Sequence, residues 1–285
     1  MPVADPEMLK LWQLELCLRL GLKGRVIISQ HGINGTLGGP LKNLRAYKSA
    51  MNKTTLCKGI PYKWSDGGAD NFPRLSVKVR PEIVSFGAPD EIKVGPKGII
   101  GGGKHLKPAE VHDLLEKRDD VVFFDGRNTY EAAIGKFKNA VVPDTQTTRD
   151  FLNDLSSDKY EAIKNKPVVT YCTGGVRCEV LTVLMKNRGF TDVYQIDGGV
   201  VKYGEQFGNG GQWEGKLHIF DNRMVTSFGI NAQDIGNCSH CPAKTSNYEN
   251  CSDVSCNRLV LICQGCLQKT TTCSRCLTDN KVYAP

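Results

Sequence analysis

The sequence of 285 residues has no long hydrophobic run, and no window approaches the ~18 uninterrupted apolar residues that a membrane-spanning helix needs. Its first residues, Met1-Pro2 and then acidic side chains, lack the basic flank and apolar core of a secretory leader. No haem, flavin or two-His-one-carboxylate signature is evident. We therefore expect a cytoplasmic protein with no membrane partner, and its 40% share of apolar residues is enough to bury a core.

Positive charge is concentrated in the first part of the chain. Residues 1–104 carry 16 Lys and Arg against 8 Asp and Glu, residues 105–215 carry 14 against 17, and residues 216–285 carry 7 against 5. A basic segment favours a polyanionic partner such as a nucleic acid. A soluble domain with surplus lysines would show the same excess, so charge alone leaves both interpretations open.

The pattern of apolar residues divides the chain into domains. We expect a ferredoxin-like (acylphosphatase-like) α+β domain over 1–92, a linker and lead-in helix over 93–116, a doubly wound α/β domain over 117–215, and a cysteine-rich module over 216–285. Glycine, proline and lysine are frequent over 87–104, which is typical of a linker. The spacing and the Ser/Thr of a phosphate-binding P-loop are absent there.

The first domain shows the order helix, strand, turn, strand, helix, strand. The predicted elements are a helix over 5–20, a strand over 25–29 with its return at 36–37 after a turn at 32–35, a helix over 41–51 and a strand over 75–79. A ferredoxin-like fold normally opens with a central strand, so we expect this sheet to lack its opening strand.

Strands and helices alternate from residue 105 onward, which predicts a parallel sheet covered on both faces. The predicted elements are helices over 108–116, 148–155 and 177–188, and strands over 121–124, 168–171 and 193–196. In such sheets the functional side chains lie at the carboxyl ends of the strands.

The strand 168–171 ends directly in a reactive-type loop that precedes a helix. The loop reads Cys172, Thr173, Gly174, Gly175, Val176, Arg177, Cys178. Small residues after the cysteine allow successive backbone N–H groups to surround its sulfur, and the helix adds its positive end. Both effects favour thiolate over thiol. Arg177 adds a cation with directional donors for an oxyanion or a bound sulfur intermediate.

The second cysteine of the loop has two interpretations. Cys178 follows Cys172 by about one helical turn, so it could resolve an oxidised or persulfidated Cys172. It could equally be a small packing residue under the loop. For Cys172 itself, a buried structural cysteine beside a glycine turn is the alternative to a reactive group.

These motifs resemble the rhodanese family. The loop is similar to the rhodanese pattern Cys-x-x-Gly-x-Arg, Asp125-Gly126-Arg127 resembles its early Asp-x-Arg motif, and Ile196-Asp-Gly-Gly199 resembles its late Gly-Gly turn. The position after Asp125 is often filled by a β-branched or small residue, so Gly126 is a minor departure.

The resemblance extends to one rhodanese-related family, the bacterial tRNA uridine hydroxylases. The motifs that carry it are residues 24–36 (Gly-Arg-Val-Ile-Ile-Ser-Gln-His-Gly-Ile-Asn-Gly-Thr), 85–89 (Ser-Phe-Gly-Ala-Pro), 127–131 (Arg-Asn-Thr-Tyr-Glu) with Gly135, and 172–179. The resemblance implies oxygen-dependent 5-hydroxylation of the wobble uridine of tRNA, with O2 as co-substrate and Cys172 as the essential residue. We therefore place Asp125, Arg127 and Glu131 in supporting roles.

The tail contains eight cysteines in close pairs with the spacing of zinc ligands. The pairs are Cys238 and Cys241, Cys251 and Cys256, Cys263 and Cys266, and Cys273 and Cys276. We expect two structural zinc ions in an interleaved arrangement, in which the first and third pairs share one ion. Sequential pairing, an iron–sulfur cluster, and free or disulfide-bonded cysteines remain alternatives. His240 is not an expected ligand, because eight sulfurs already complete two sites.

Four residues near the N-terminal motif are candidates for contact with tRNA. Lys23 and Arg25 would attract phosphates, and His31 and Asn34 would hydrogen-bond to a splayed base. Asn34 could instead serve the predicted turn, since asparagine tolerates left-handed conformations.

Three functions compete on this basis. The first is a tRNA-modifying oxygenase, and the second is a sulfurtransferase that carries persulfide on Cys172. The third is a tRNA- or partner-binding protein with an inactive rhodanese domain. Intact Cys172 and Arg177 disfavour the third, and the basic first segment favours the first. A sulfur donor or a reductant protein is a further candidate partner, and the oligomeric state stays open.

Overall fold

The computed structural model describes residues 2–96, 98–256 and 258–282. Lys97, inside the predicted linker, and residues 283–285, at the end of the predicted cysteine-rich module, lie outside the described residues. The α-helices are α1 Pro6–Arg19, α2 Leu41–Lys53, α3 Pro108–Lys117, α4 Thr129–Ala132, α5 Asp150–Leu155, α6 Val176–Asn187, α7 Gly199–Phe207, α8 Gln264–Leu267 and α9 Ser274–Val282.

The strands follow in chain order. They are β1 Lys23–Ser29, β2 Gly32–Gly38, β3 Leu75–Val79, β4 Val94–Gly95, β5 Gly98–Ile99, β6 Lys104–Leu106, β7 Val122–Asp125, β8 Gly135–Phe137, β9 Pro167–Tyr171, β10 Asp192–Ile196, β11 Trp213–Gly215, β12 Leu217–His218, β13 Val225–Thr226, β14 Tyr248–Asn250 and β15 Leu259–Leu261. Short 3-10 helices lie at Ala69–Asn71, Pro89–Glu91 and Asp158–Ile163.

The N-terminal domain is an α+β unit built on the sheet order β2-β1-β3. Strand β1 is antiparallel to β2 and parallel to β3. Residues 2–5, which precede α1, form no strand. Helix α1 begins where the sequence predicts, because the Asp5 side chain accepts a hydrogen bond from the Met8 N–H at 2.9 Å. Both helices cover one face of the sheet.

The hairpin between β1 and β2 differs from the prediction. Ser29 pairs with Gly32, so the turn consists of Gln30 and His31, and the predicted turn at residues 32–35 is wrong. The glycines that suggested it lie within β2. A Cβ on Gly35 would stand 3.0 Å from the Arg25 carbonyl oxygen, so this glycine permits close approach of the two strands.

The central domain is doubly wound, as predicted. Its sheet has the order β6-β10-β9-β7, and every neighbouring pair is parallel. Helices α5 and α6 pack on one face, around residues such as Phe151 and Leu184. Helices α3 and α7 pack on the other face, around residues such as Val111 and Val200. The carboxyl ends of β7, β9 and β10 therefore meet at one edge of the sheet.

The end of the predicted first domain and part of the glycine-rich segment are folded against the central domain. Ile83, Phe86 and Ile92 belong to the same buried cluster as the helix α6 side chains. Glu91 forms an ion pair with Arg188 at 3.0 Å. Strand β6, which falls within the glycine-rich 87–104 segment, forms an edge of the central sheet. The segment after the N-terminal sheet thus contributes to the central core.

The C-terminal region consists of short hairpins and short helices around the cysteines. Strand β11 pairs with β8 of the central domain, β12 pairs with β13, and β14 pairs with β15. Buried Tyr248 on β14 donates a hydrogen bond to the Tyr130 carbonyl, which connects the region to helix α4. Among the described residues, no helix has the length and apolar character needed to cross a membrane.

Candidate active site

Cys172 lies at the carboxyl end of β9, in the loop that leads into α6. Its side chain is buried, and the Gly175 N–H donates to Cys172 Sγ at 3.1 Å. Gly175 adopts a φ of 91°, which favours glycine and lets the loop curl back over the sulfur. The first N–H groups of α7 hold the loop from outside, since Val200 donates to the Cys172 carbonyl at 2.9 Å and Val201 to the Thr173 carbonyl at 3.1 Å.

The loop stabilises Cys172 as a thiolate. Burial alone would raise its pKa, but the Cys178 thiol donates a hydrogen bond to the sulfur, Arg177 supplies positive charge and backbone N–H groups point at it. These contributions outweigh burial and hold the pKa of Cys172 at about 5, so it is ionised at neutral pH. Burial and the neighbouring thiolate raise the pKa of Cys178 well above its usual range, so Cys178 stays protonated and acts as the donor.

Arg177 is oriented by Glu131. Its guanidinium donates to both carboxylate oxygens, at 2.5 and 2.7 Å, and also to Thr173 Oγ1 at 3.2 Å. Burial alone would raise the pKa of Glu131, but the charge of Arg177 outweighs it and keeps the carboxylate ionised. This two-pronged ion pair fixes the planar guanidinium beside the thiolate.

Asp125 and Arg127 form a fully buried ion pair beneath the site. The guanidinium of Arg127 donates to the two Asp125 oxygens at 2.9 and 2.7 Å and to the Gly135 carbonyl at 2.6 Å. The guanidinium lies between the Tyr171 and Trp213 rings, at 5.5 and 5.1 Å from their centroids. The two residues therefore connect β7, β8 and β9 under the loop.

Two side chains outside every sequence motif reach the mouth of the site. Lys63, from the loop between α2 and β3, donates through Nζ to the Gly174 carbonyl. Phe220, from the turn between β12 and β13, lies against Arg177, with 5.5 Å between the guanidinium carbon and the ring centroid. The sequence carries no signal for either one, because neither lies at a recognisable spacing from Cys172.

Comparison with known proteins places the chain in a family. Sequence profiles match a UPF0176 acylphosphatase like domain over residues 1–83, a Rhodanese-like domain over 107–206 and a Rhodanase C-terminal region over 214–279. The tRNA uridine(34) hydroxylase of Corynebacterium urealyticum is 57% identical, over 96% of this chain and 93% of its own. Those of Corynebacterium diphtheriae and an Arthrobacter species are 57% and 56% identical, over 95% of this chain and 89% and 93% of theirs.

The chain belongs to the tRNA uridine(34) hydroxylase family. Among solved structures, a thiosulfate sulfurtransferase from Pseudomonas aeruginosa is 21% identical over 40% of this chain and 20% of that chain, with a TM-score of 0.33. No functional argument rests on so low a score.

In this member of the tRNA uridine(34) hydroxylase family, three of the four N-terminal candidates lie on the sheet face opposite α1 and α2. Lys23 and Arg25 alternate with the core residues of β1, and exposed Lys78 of β3 shares their face. Asn34 is also on that face, but its side chain donates to the Ile83 carbonyl at 3.2 Å and connects the hairpin to the central domain. Asn34 therefore does not serve the predicted turn.

His31 lies in the turn itself and lines an open cavity of about 650 Å³ together with Arg80 and Asp90. Its backbone N–H donates to Ser29 Oγ at 2.9 Å. None of the contacts described for His31 or Asn34 involves the Cys172 loop.

The eight tail cysteines form two clusters in the interleaved pairing. One contains Cys238, Cys241, Cys263 and Cys266, and the other contains Cys251, Cys256, Cys273 and Cys276, with the sulfurs of each within 4.8 Å of one another. Close sulfur pairs stand at 3.5 Å (Cys241 to Cys263) and 3.6 Å (Cys256 to Cys273). Tetrahedral thiolates at a Zn–S distance of about 2.3 Å would stand roughly 3.8 Å apart, so the donor sets fit zinc. His240 belongs to neither cluster.

The geometry of the loop predicts the pH dependence of Cys172 reactivity. Because the pKa of Cys172 is lowered to about 5, alkylation by iodoacetamide should persist at pH 6 and fall only as the pH approaches 5. Arg177→Gln removes a positive charge that stabilises the thiolate, so it should raise the pH at which labelling of Cys172 is half-maximal. Mass spectrometry of the Cys172 peptide after timed labelling measures both, and an unperturbed midpoint near ~8.5 in the wild type would contradict the thiolate assignment.

Proposed function

We propose that this chain hydroxylates uridine 34 of tRNA at C5 of the uracil ring, with O2 as co-substrate and Cys172 as the reactive group. The observation that most directly supports this proposal is the buried Cys172 thiolate, which is stabilised by the Gly175 N–H, Cys178 and Arg177. Relatives that match nearly the whole chain are named for uridine 34 hydroxylation. A tRNA substrate would also place the activity in the cytoplasm.

Each side chain of the loop has a distinct role in this proposal. Cys172 supplies the nucleophile, since the thiolate is the form of cysteine that adds to electron-poor atoms. Cys178 keeps its proton and donates to that thiolate. Arg177 supplies donors for a substrate oxygen or anion, and Glu131 holds Arg177 in position. The backbone that surrounds the Cys172 sulfur, here called the cradle, comes from Thr173, Gly174, Gly175 and Val176.

The chemistry of hydroxylation implies a further partner. Replacing C5–H by C5–OH with one atom of O2 leaves the second atom to be reduced to water. That reduction consumes two electrons and two protons beyond those of the substrate, so a reductant must supply them. A reductant protein or small thiol is therefore part of the proposal.

Sulfur transfer is the alternative activity, because the same cradle would hold a persulfide on Cys172. The two activities differ in what they need from the rest of the chain. Transfer from thiosulfate to a small acceptor needs no contact with RNA, whereas hydroxylation of tRNA does. The basic open face of the N-terminal sheet, with Lys23, Arg25 and Lys78, therefore favours the tRNA activity.

We also propose that each cysteine cluster holds one structural zinc ion. Each offers four sulfurs at separations close to those of a tetrahedral thiolate site. Few buried apolar residues surround the clusters, namely Val260 and Ile262 with partly buried Leu267. A region with so small a core depends on metal for its folding.

Cys172→Ser should abolish hydroxylation with little effect on folding, because the loop backbone is unchanged and only the thiolate is lost. Cys178→Ser should be milder, since a hydroxyl can still donate to the sulfur. The measurement is nucleoside mass spectrometry of tRNA incubated with enzyme, reductant and ¹⁸O2, in which the new hydroxyl carries the label. Labelled product from the Cys172→Ser variant would refute the assignment, and equal loss in both variants would show that the cysteines act as a unit.

Replacing both Lys23 and Arg25 with Ala should weaken tRNA binding. It should also reduce the slope of log K against log salt concentration by roughly 1 to 2, because binding with fewer phosphate contacts releases fewer counterions. The matched control is Lys42→Ala with Arg45→Ala, which removes the same charge from α2 on the opposite side of the sheet. Filter binding across a salt series measures both. Equal changes in the two double variants would count against docking through the open face.

Freshly purified, reduced protein should contain about two zinc ions per chain. Cys238→Ser with Cys241→Ser removes half of one cluster and should leave about one ion, since the sulfurs of the other cluster are untouched. Inductively coupled plasma mass spectrometry gives the count. Iron with visible absorbance, or metal-free folded protein, would overturn the zinc assignment.

A further inference from the structure

Two segments outside the central sheet meet at the mouth of the Cys172 site. One is residues 63–71 of the N-terminal domain, and the other is residues 218–223 of the C-terminal region; together we call them the rim. The Asn222 N–H donates to the Asn71 carbonyl at 2.9 Å, and its side chain donates to the Asp70 carbonyl at 3.0 Å. Arg223 donates to the Asp66 carbonyl at 2.6 Å. The rim is therefore a continuous, hydrogen-bonded border made by two different domains.

Phe220 lies in the β12–β13 turn and is an aromatic side chain of the rim that contacts Arg177 of the reactive loop. One side of its ring lies against Arg177, and 53% of the residue is exposed. The Ile219 N–H donates to the Met224 carbonyl at 2.8 Å, so the turn is closed by its own backbone. The ring is thus presented to solvent from a fixed backbone.

The base of Phe220 is also fixed. Its ring makes an edge contact with His218, with 5.1 Å between centroids. His218 is itself buried between Tyr130 and Tyr248, at 5.3 and 5.4 Å, and among the described residues neither ring nitrogen has a hydrogen-bond partner. His218 therefore serves as packing beneath Phe220. An aromatic ring that is held in place and yet exposed beside a reactive thiolate is suited to stacking against a planar substrate.

Lys63 gives the mouth of the site a positive charge from the N-terminal domain. Its ammonium donates to the Gly174 carbonyl, and Cys172, Asp197 and Glu179 supply negative charge nearby. Lys202 is paired with Asp197 at 2.5 Å, whereas Lys63 reaches the loop from the rim. A single carbonyl uses one of the three ammonium donors, so others are free for a phosphate oxygen.

We propose that the rim is the nucleotide-receiving site of this enzyme: Phe220 stacks on the uracil ring as it enters toward Cys172, and Lys63 binds the phosphate beside that nucleotide. This inference rests on the proposed tRNA uridine activity and names the residues that receive the base. Bases of single-stranded loops are recognised after they leave their stack, when they lie on aromatic side chains. Neither residue needs to take part in bond making, so both are positioning residues.

The test compares two RNA anticodon stem-loops that are identical except at the wobble position, one with uridine and one with an abasic nucleotide. Wild-type protein should bind the uridine RNA roughly 10-fold more tightly, the range expected for one base–aromatic stack. Phe220→Ala should bind both RNAs almost equally, whereas Phe220→Tyr keeps the ring and should retain the preference. Ile230→Ala is the control, since Ile230 is apolar and fully exposed in the same region.

Lys63→Ala should weaken binding of both RNAs by the same factor and reduce the salt slope by about 1, because it removes one phosphate contact without touching the base. Lys58→Ala, an exposed lysine in the same loop, should leave the slope unchanged. Melting temperatures of all variants show that each is folded. A wild-type preference that survives in Phe220→Ala, or that Ile230→Ala also loses, would overturn the stacking site.

Hydroxylation assays on the same RNAs separate this inference from the proposed function. If the wild type forms 5-hydroxyuridine but binds both RNAs equally, the stacking site is wrong and the activity stands. If the preference depends on Phe220 but no 5-hydroxyuridine forms with any reductant, the nucleotide site stands and hydroxylation is wrong. If Phe220→Ala raises KM for the RNA roughly 10-fold and Phe220→Tyr restores it, both are supported.

Discussion

The site depends on the electrostatic compensation of a buried anion. Cys172 is buried and ionised, a combination that costs several kcal/mol unless neighbouring groups compensate for the lost hydration. A series of charges of alternating sign provides the compensation. The thiolate faces Arg177, and Arg177 is paired with Glu131. The Arg127–Asp125 pair lies next to Glu131. The series has one more negative than positive charge, and the Gly175 N–H with the start of α6 faces that excess.

This series also explains why the central sheet is arranged as it is. Asp125 ends β7 and Cys172 follows β9, and parallel neighbouring strands bring those two ends together. Arg127 could not be buried without Asp125, and Glu131 could not stay ionised without the two arginines. Aromatic rings from β9 and β11 enclose the inner guanidinium, so the polar interior is shielded from water. The doubly wound fold thus supplies both the anion cradle and the pairs beneath it.

The other two domains also contribute side chains around the site. The N-terminal domain contributes Lys63 and a basic open sheet face, and the C-terminal region contributes Phe220 on a turn that hydrogen-bonds to the N-terminal loop. The cysteine clusters lie in that same C-terminal region, and Tyr248 connects it to helix α4, on which Glu131 lies. Structural metal in this region would therefore stabilise the support of the Arg177–Glu131 pair as well as the tail itself.

Local patterns in the sequence were enough to predict the strand–loop–helix around Cys172, the four close pairs of tail cysteines, and the relative order of the main helices and strands in both larger domains. Those features depend on neighbours within a few residues: a glycine loop before a helix, cysteine pairs with two or four residues between them, alternating apolar strands. The turn at Gln30-His31 was missed, because the glycines that suggested a later turn serve close strand packing, which involves a partner strand.

Only the tertiary structure decided the edge strand Lys104–Leu106, the folding of residues 83–92 into the central core, and the rim of the site. Lys63 and Phe220 lie far along the chain from Cys172 in either direction, and neither has a distinctive spacing or neighbour. Their positions follow from how three domains pack, and packing is set by long-range contacts that local sequence patterns do not encode. The loop around Cys172 was therefore readable from sequence, whereas the surfaces around it were not.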